Sequence, residues 1–201
     1  MKLIFATHNP GKLKEMKDIL KGLAIEVQSA DQAGVTEEVV EDGKTFAENA
    51  LKKARFVTEK TGQWAVADDS GICIKALNNA PGVFSTRWAG ESASPEKLRQ
   101  HTLSQMKNIP ESNRQAWMES VAALTAPDGR HWLFTGKVEG VITLKPAGQT
   151  RKGMPYDAIF IPRGHSRTFA EMSSQEKNAL SHRGIAFGKL RKRVDKRLYM
   201  M

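Results

Sequence analysis

The chain has 201 residues, enough for one substantial hydrophobic core and, at roughly 150 residues per domain, for a single domain over 1–201. Hydrophobic residues make up 40% and charged residues 26%, and no apolar run reaches the ~20 residues of a membrane span, so a cytosolic protein without membrane contact is expected. Lys and Arg number 31 against 22 acids, a formal +9 that attracts polyanions such as nucleotides or nucleic acid; the single Cys73 excludes an internal disulfide and an all-thiolate metal site.

Lys2 to Ala6 reads as a buried first strand. It breaks at Thr7-His8-Asn9-Pro10-Gly11-Lys12, after which Leu13, Met16, Ile19 and Leu20 recur at helical spacing. A strand thus turns through a polar loop into a helix whose N-terminus offers free N–H groups and a positive dipole end to an anion, with Lys12 adding a full charge. The loop is not a Walker A motif, which requires Gly where Ala6 stands and Ser or Thr where Leu13 stands. Ala24 to Ser29 predicts a second strand. The acids Glu37, Glu38, Glu41 and Asp42 that follow read as a solvated loop or as the source of a metal carboxylate.

Thr45-Phe46-Ala47-Glu48 has capping-box spacing and opens a helix that buries Phe46, Ala50, Leu51, Ala54 and Val57 and closes at Gly62. Asn49, Lys52 and Lys53 lie off that stripe; Lys53 is one turn beyond Asn49, so both can face one cleft. The apolar run from Trp64 then ends in Asp68-Asp69-Ser70-Gly71, the pattern by which a buried strand delivers acids to a site rim. Adjacent aspartates repel, and a divalent metal or a shared proton neutralises them. On spacing alone a solvated turn is equally acceptable.

Ile72-Cys73-Ile74 continues as strand, Asn78 to Gly82 is a turn, and Ser94-Pro95-Glu96 starts a further helix. Arg114 to Thr125 and His131 to Val138 predict an antiparallel hairpin, with Gly140 to Leu144 as another strand, hence a mixed sheet. Pro146 to Tyr156 is a loop leading to Asp157 and a strand over Ala158–Ile161. Ser173-Ser174-Gln175-Glu176 is a second capping box, opening a helix that carries Lys177, Ser181, His182 and Arg183 and pauses near Gly184. Lys, His and Arg converging on one segment read as a phosphate or purine contact. The cationic run Lys189 to Arg197 is expected to be a solvated terminal helix. Trp64, Trp88, Trp117 and Trp132 are scattered among strands rather than interleaved with cations, which argues against a nucleic-acid stacking platform.

In order along the chain, these motifs resemble the inosine/xanthosine triphosphate pyrophosphatases, a family that clears non-standard purine nucleotides. The resemblance rests on Thr7–Lys12, Thr45–Ala50 with Lys53-Ala54, Ala67–Gly71, Ala80–Val83, Thr168–Met172, and Glu176–Ala179 running into Ser181-His182-Arg183-Gly184. It implies an elongated two-lobed α/β fold, a central mixed β-sheet flanked by helices, with the active-site cleft between lobes, and usually a homodimer. The implied reaction is Mg²⁺-dependent hydrolysis of ITP, dITP or XTP to the monophosphate and pyrophosphate. By resemblance Asp69 is the general base, Glu41, Asp68 and Asp69 hold Mg²⁺, and Lys53 is a catalytic cation on the triphosphate. Thr7, His8, Asn9, Pro10, Gly11, Lys12 and Ser70 bind substrate, while Met154, Pro155, Tyr156, Asp157, Lys177, His182 and Arg183 select the base. Donors aimed at a 6-oxo group reject ATP by being left unpaired.

One stretch departs from the family. Met154 stands where a base-stacking aromatic is usual, and Pro155 where a Gly would offer a backbone donor. The thioether still packs on a purine, but Pro removes the donor and fixes φ, so weaker or broader base selectivity is expected. The other readings are a pyrophosphatase for other modified triphosphates and, from a different class, a basic nucleic-acid-binding protein.

Overall fold

The computed structural model describes residues 2–151 and 153–198. Among these residues six strands form one sheet: β1 (Lys2–Phe5), β2 (Glu26–Ser29), β3 (Trp64–Ile74), β4 (Gln115–Thr125), β5 (His131–Ile142) and β6 (Phe160–Pro162). The order is β2-β1-β3-β4-β5-β6; β1 pairs parallel with β2 and β3, and the other pairs are antiparallel. Five helices flank it: α1 (Pro10–Leu20), α2 (Phe46–Thr61), α3 (Pro95–Gln105), α4 (Ser174–Leu180) and α5 (His182–Leu198). The expected mixed α/β architecture is present.

The long strands β3 and β4 carry two cores along their length. At one end Val66, Ala122 and Leu124 pack with Leu3 and Phe5 of β1, Met16 and Leu20 of α1, and Phe187 and Leu190 of α5. On the opposite face α2 lies close against the sheet, because its contact residues Ala50 and Ala54 meet Ala67 and Ala123, and small side chains permit that approach. At the other end Ile72, Ile74 and Met118 pack with Met106, Tyr156, Phe160 and Phe169, the core of the second lobe. Asp68, Asp69 and Ser70 occupy β3 where it passes from one core to the next.

Local signals explain the helices that position this region. Asn9 caps α1, its Oδ1 accepting from the amides of Gly11 at 2.9 Å and Lys12 at 3.2 Å. Thr45 and Glu48 form the expected capping box of α2, and Gly62 ends that helix in the left-handed region at φ 64°.

Four expectations are corrected. Asp68 and Asp69 lie inside an 11-residue strand rather than at its end. Gly140 does not begin a new strand: β5 runs through it to Ile142 because β6 approaches closely there, and a Cβ at Gly140 would sit 2.2 Å from the Ile161 carbonyl oxygen. The stretch Asp157–Ile159 is a 3₁₀ turn, so β6 begins only at Phe160. The C-terminal helix does not pause at Gly184; it breaks at Ser181, which is extended at ψ 156° and accepts the Gly184 amide on its Oγ at 3.1 Å. Of the terminal cations, Lys189, Lys192 and Arg193 are exposed as expected, while the side chains of Lys196 and Arg197 lie outside the described residues.

Candidate active site

Side chains alternate across a strand, so the adjacent Asp68 and Asp69 serve opposite faces of the sheet. Asp69 faces α2: Asn49 Nδ2 donates to its Oδ2 at 3.0 Å, and Lys53 Nζ stands 3.9 Å from its Oδ1. Asn49, expected to face the cleft with Lys53, is fully buried and lines neither of the two cavities of the site, reaching it through Asp69. Asp68 faces α1 and α5: Lys12 Nζ lies 3.1 Å from Oδ1, and Arg183 Nε donates to Oδ2 at 3.1 Å.

The surroundings separate the two acids electrostatically. Burial opposes ionisation of Asp68, but Lys12 and Arg183 outweigh it and hold the carboxyl well below the usual range. Asp69 is pushed up by burial and by Glu41, against the pull of Lys53. Burial likewise lowers Lys12, with Asp68 opposing. Lys53 ends above the ordinary lysine value because Asp69 and Glu41 overcome its burial.

Two cavities share Asn9, Lys12, Glu41 and Thr86 as lining residues and so form one cleft. The larger, about 470 Å³, is bounded by Thr7, His8, Asn9, Lys12, Lys53 and Asp68. Here Lys53 Nζ touches Glu41 Oε1 at 2.6 Å, so Glu41 and Asp69 converge on one ammonium. His8 leans outward, its Nδ1 2.8 Å from Asp31. Pro10 and Gly11 form the first turn of α1 and line neither cavity. The amides of Gly11 and Lys12, expected to be free for an anion, are taken by Asn9. What the loop offers an anion is therefore side-chain groups and the Lys12 charge rather than free amides.

Among the described residues no three His, Cys, Asp or Glu side chains are grouped to hold a metal ion. Mg²⁺ does not require three: one or two carboxylates, waters and substrate phosphates complete its shell. Glu41 and Asp69, converging where an ammonium now sits, fit that requirement. Asp68 is committed to Lys12 and Arg183 and fits it less well.

The smaller cavity, about 130 Å³, is lined by Ser70, Met118, Met154, Pro155, His182 and Arg183, together with Tyr156 and Asp157. Gly153 brings this loop against the first one: its φ is +75°, and a Cβ there would sit 2.4 Å from Asn9 Nδ2. Arg183 is held on several sides, by Asp68, by Glu15 at 2.6 Å and by Ser70 Oγ at 2.9 Å, with Met154 Sδ at 3.5 Å from Nη1. Burial, then Arg183 and Lys177, drive the His182 pKa far down, so the imidazole is neutral, and its Nδ1 has no hydrogen-bond partner. The Tyr156 hydroxyl is turned into the core and donates to the Ser85 carbonyl at 2.6 Å. Lys177 is 1% exposed and lines neither cavity; its Nζ bridges Glu15 at 2.9 Å and Asp157 at 2.8 Å.

Residues 3–193 match the Ham1 family. The chain is 45% identical to the dITP/XTP pyrophosphatase of Streptomyces coelicolor over 92% of this chain and 93% of that protein. It is 41% identical to the dITP/XTP pyrophosphatase of Bacillus subtilis over 96% of each. The structure of a HAM1 protein from Coxiella burnetii superposes with a TM-score of 0.88 at 38% identity, covering 98% of this chain and 99% of that one. This chain belongs to the Ham1 family.

Two residues around this cleft escape a reading of the sequence. Glu15 lies on α1 three residues after Lys12 and joins Lys177 to Arg183; those two cations draw its pKa down to about 2 despite burial. Arg151 donates to Asp157 at 3.4 Å, to the Phe169 carbonyl at 2.8 Å and to the Met172 carbonyl, pinning the wall behind the smaller cavity. The spacing of Glu15 to Lys12 on one helix face was a usable signal; Arg151 sits in an irregular loop and had none.

Proposed function

We propose that this protein hydrolyses non-standard purine nucleoside triphosphates, ITP, dITP and XTP, to the monophosphate and pyrophosphate. The observation that carries the reading is the pair of adjoining cavities, one walled by Lys12, Lys53, Glu41 and Asp68 and the other by Met154, neutral His182 and Arg183, that share Asn9, Lys12, Glu41 and Thr86. The relatives named dITP/XTP pyrophosphatase support the same class of substrate.

In the reaction water attacks the α-phosphorus, the α–β bridging bond breaks, and the pyrophosphate departs with the electron pair. Asp69 accepts the proton from that water. Asn49 Nδ2 and the Ser70 amide, at 3.0 and 2.9 Å, fix the orientation of its carboxylate. Glu41 and Asp69 would hold Mg²⁺, which supplies acidification of water and neutralisation of phosphate charge when bound. Lys53 leaves Glu41 for the phosphates and stabilises the charge building on the leaving group. Lys12 contributes a second cation from the first turn of α1, anchored by Asp68.

At the base, neutral His182 and Arg183 meet the 6-oxo edge. Lys177, Asp157 and Glu15 act from behind by holding Arg183 and the cavity wall. Met154 packs on the purine in place of an aromatic ring, and base selectivity is correspondingly weaker. The reading includes a cytoplasmic homodimer, and light scattering of the purified protein checks the dimer. The tryptophans are distributed over separate places, Trp64 stacked on Trp132, Trp88 edge-on to His101 and Trp117 under Lys137, which does not favour nucleic-acid stacking.

A substrate panel with pyrophosphate readout tests the reading. Release from ITP, dITP and XTP with Mg²⁺, abolished in Asp69→Asn, is expected; equal release by Asp69→Asn removes Asp69 as the base.

A further inference from the structure

Residues 35–43, which carry Glu41 to the cleft, form neither helix nor strand, and Val40 at the middle of the segment is 71% exposed. Nearly all of the segment's polar anchors belong to α2. Lys60 pairs with Glu37 at 2.8 Å, Lys52 with Asp42 at 2.7 Å, Lys53 with Glu41 at 2.6 Å, and Asn49 Oδ1 accepts the Gly43 amide at 2.8 Å. The Glu37 and Asp42 pairs are solvent-exposed, and such pairs hold little. The Lys53 pair is the contact that substrate must dissolve, since Lys53 and Glu41 are both needed elsewhere once a triphosphate arrives.

One anchor comes from the other bank. Arg87, in the loop after the 3₁₀ turn Gly82–Phe84, donates from Nη2 to the backbone carbonyl of Glu41 at 3.0 Å and lines the larger cavity beside it. Its guanidinium lies 4.9 Å from the centroid of the Phe84 ring, and Phe84 is 54% exposed. A large apolar side chain left in water is explained when its face is the platform for a cation. The bond to a carbonyl oxygen is indifferent to what the Glu41 carboxylate binds.

We propose that Arg87, stacked on Phe84, is a positioning residue that keeps the Glu41 segment docked at the mouth of the cleft while the Glu41 carboxylate exchanges Lys53 for a divalent cation. The proposal rests on the reading of Glu41 as a carboxylate that meets Mg²⁺ during triphosphate hydrolysis. Arg87 itself does not touch the reacting atoms. Its loss frees the segment, so Glu41 is presented less often and more Mg²⁺ is needed, while the chemistry at saturating Mg²⁺ is little altered.

The test uses Arg87→Met, Arg87→Lys and Phe84→Ala in the full chain. Hydrogen–deuterium exchange without metal or nucleotide is expected to rise about tenfold across residues 37–43 in Arg87→Met and to stay unchanged in α2 (Phe46–Thr61). Phe84→Ala moves in the same direction by less, and Arg87→Lys, which keeps a charged donor, falls between Arg87→Met and the parent. In parallel, the Mg²⁺ concentration for half-maximal pyrophosphate release rises about tenfold in Arg87→Met, with kcat at saturating Mg²⁺ within about twofold of the parent. Exchange over 37–43 within twofold of the parent overturns the proposal, and so does faster exchange spread over α2, which would mark general unfolding. If the parent releases no pyrophosphate from any purine triphosphate, the functional reading falls, while the exchange result still decides the Arg87 contact.

Discussion

Around the smaller cavity Glu15, Asp157, Lys177 and Arg183 have side chains 12%, 4%, 2% and 4% exposed, and each pairs with two opposite charges. Around the larger cavity Lys53 and Glu41 are 13% and 28% exposed and share one short contact, with Asp69 more distant at 3.9 Å. The first set is closed: removing a member leaves buried charge without compensation, and no ligand is required to complete it. The second set is provisional under the proposed function, in which a triphosphate and its cation would bring the charges that replace Lys53 at Glu41 and Glu41 at Lys53. On that reading selectivity is built on groups that stay where they are, and turnover on groups that change partners.

Four measurements decide whether the two sets differ in this way. Asp69→Asn is expected to lower kcat by roughly 10³- to 10⁴-fold, the scale of a lost general base, without change in thermal midpoint. A drop in stability instead would place Asp69 with the closed set. Glu15→Gln is expected to cost about 3 kcal/mol of folding stability at pH 7 by breaking a buried pair. Its native pKa, about 2, lies below the ordinary 4.5, so its contribution is complete above pH 4.5 and fades as pH falls toward about 2. Denaturant titrations of parent and Glu15→Gln should converge across that window; a constant gap would show that charge is not the cause.

Lys53→Met should leave stability nearly untouched yet reduce kcat/KM by roughly 100-fold, as for loss of a donor to developing charge. The double change Met154→Phe with Pro155→Gly is expected to raise the preference for ITP over GTP by about fivefold, near 1 kcal/mol for a gained aromatic contact. Unchanged ratios would remove Met154 from base selection.

Much of this could be read from the chain because its signals are local. The capping box at Thr45 and the stop at Gly62 delimit α2 to the residue, and the one-turn spacing of Asn49 and Lys53 already puts both beside Asp69. The polar loop at Thr7–Lys12 and the acids of β3 announce themselves against apolar neighbours. The closed set was harder. Glu15 is one of two acids in a lysine-rich helix, and although it shares a face with Lys12, its partners Lys177 and Arg183 lie 162 and 168 residues away, where no local signal reaches. Gly140 reads as punctuation, yet it is a strand position chosen for close approach. The break at Ser181 was hidden because its hydroxyl caps the next helix, while the surrounding residues favour continuation.

The alternation of β3 carries a consequence for how this site can change. Asp68 pairs in register with Ala122 and Asp69 with Val121, so the parity of a residue along the strand decides which side of the sheet it serves. Adding or removing a single residue between Trp64 and Asp68 would leave composition almost unaltered, but if the β4 register held downstream, the lost phase would fall on the apolar residues of the first core. If the apolar residues held instead, the two aspartates would trade sides, sending the anchor of Lys12 and Arg183 toward Asn49 and Asp69 toward the guanidinium. Neighbours in the sequence are thus distant in chemistry, and the reading frame of one strand keeps the two carboxylates from exchanging occupations.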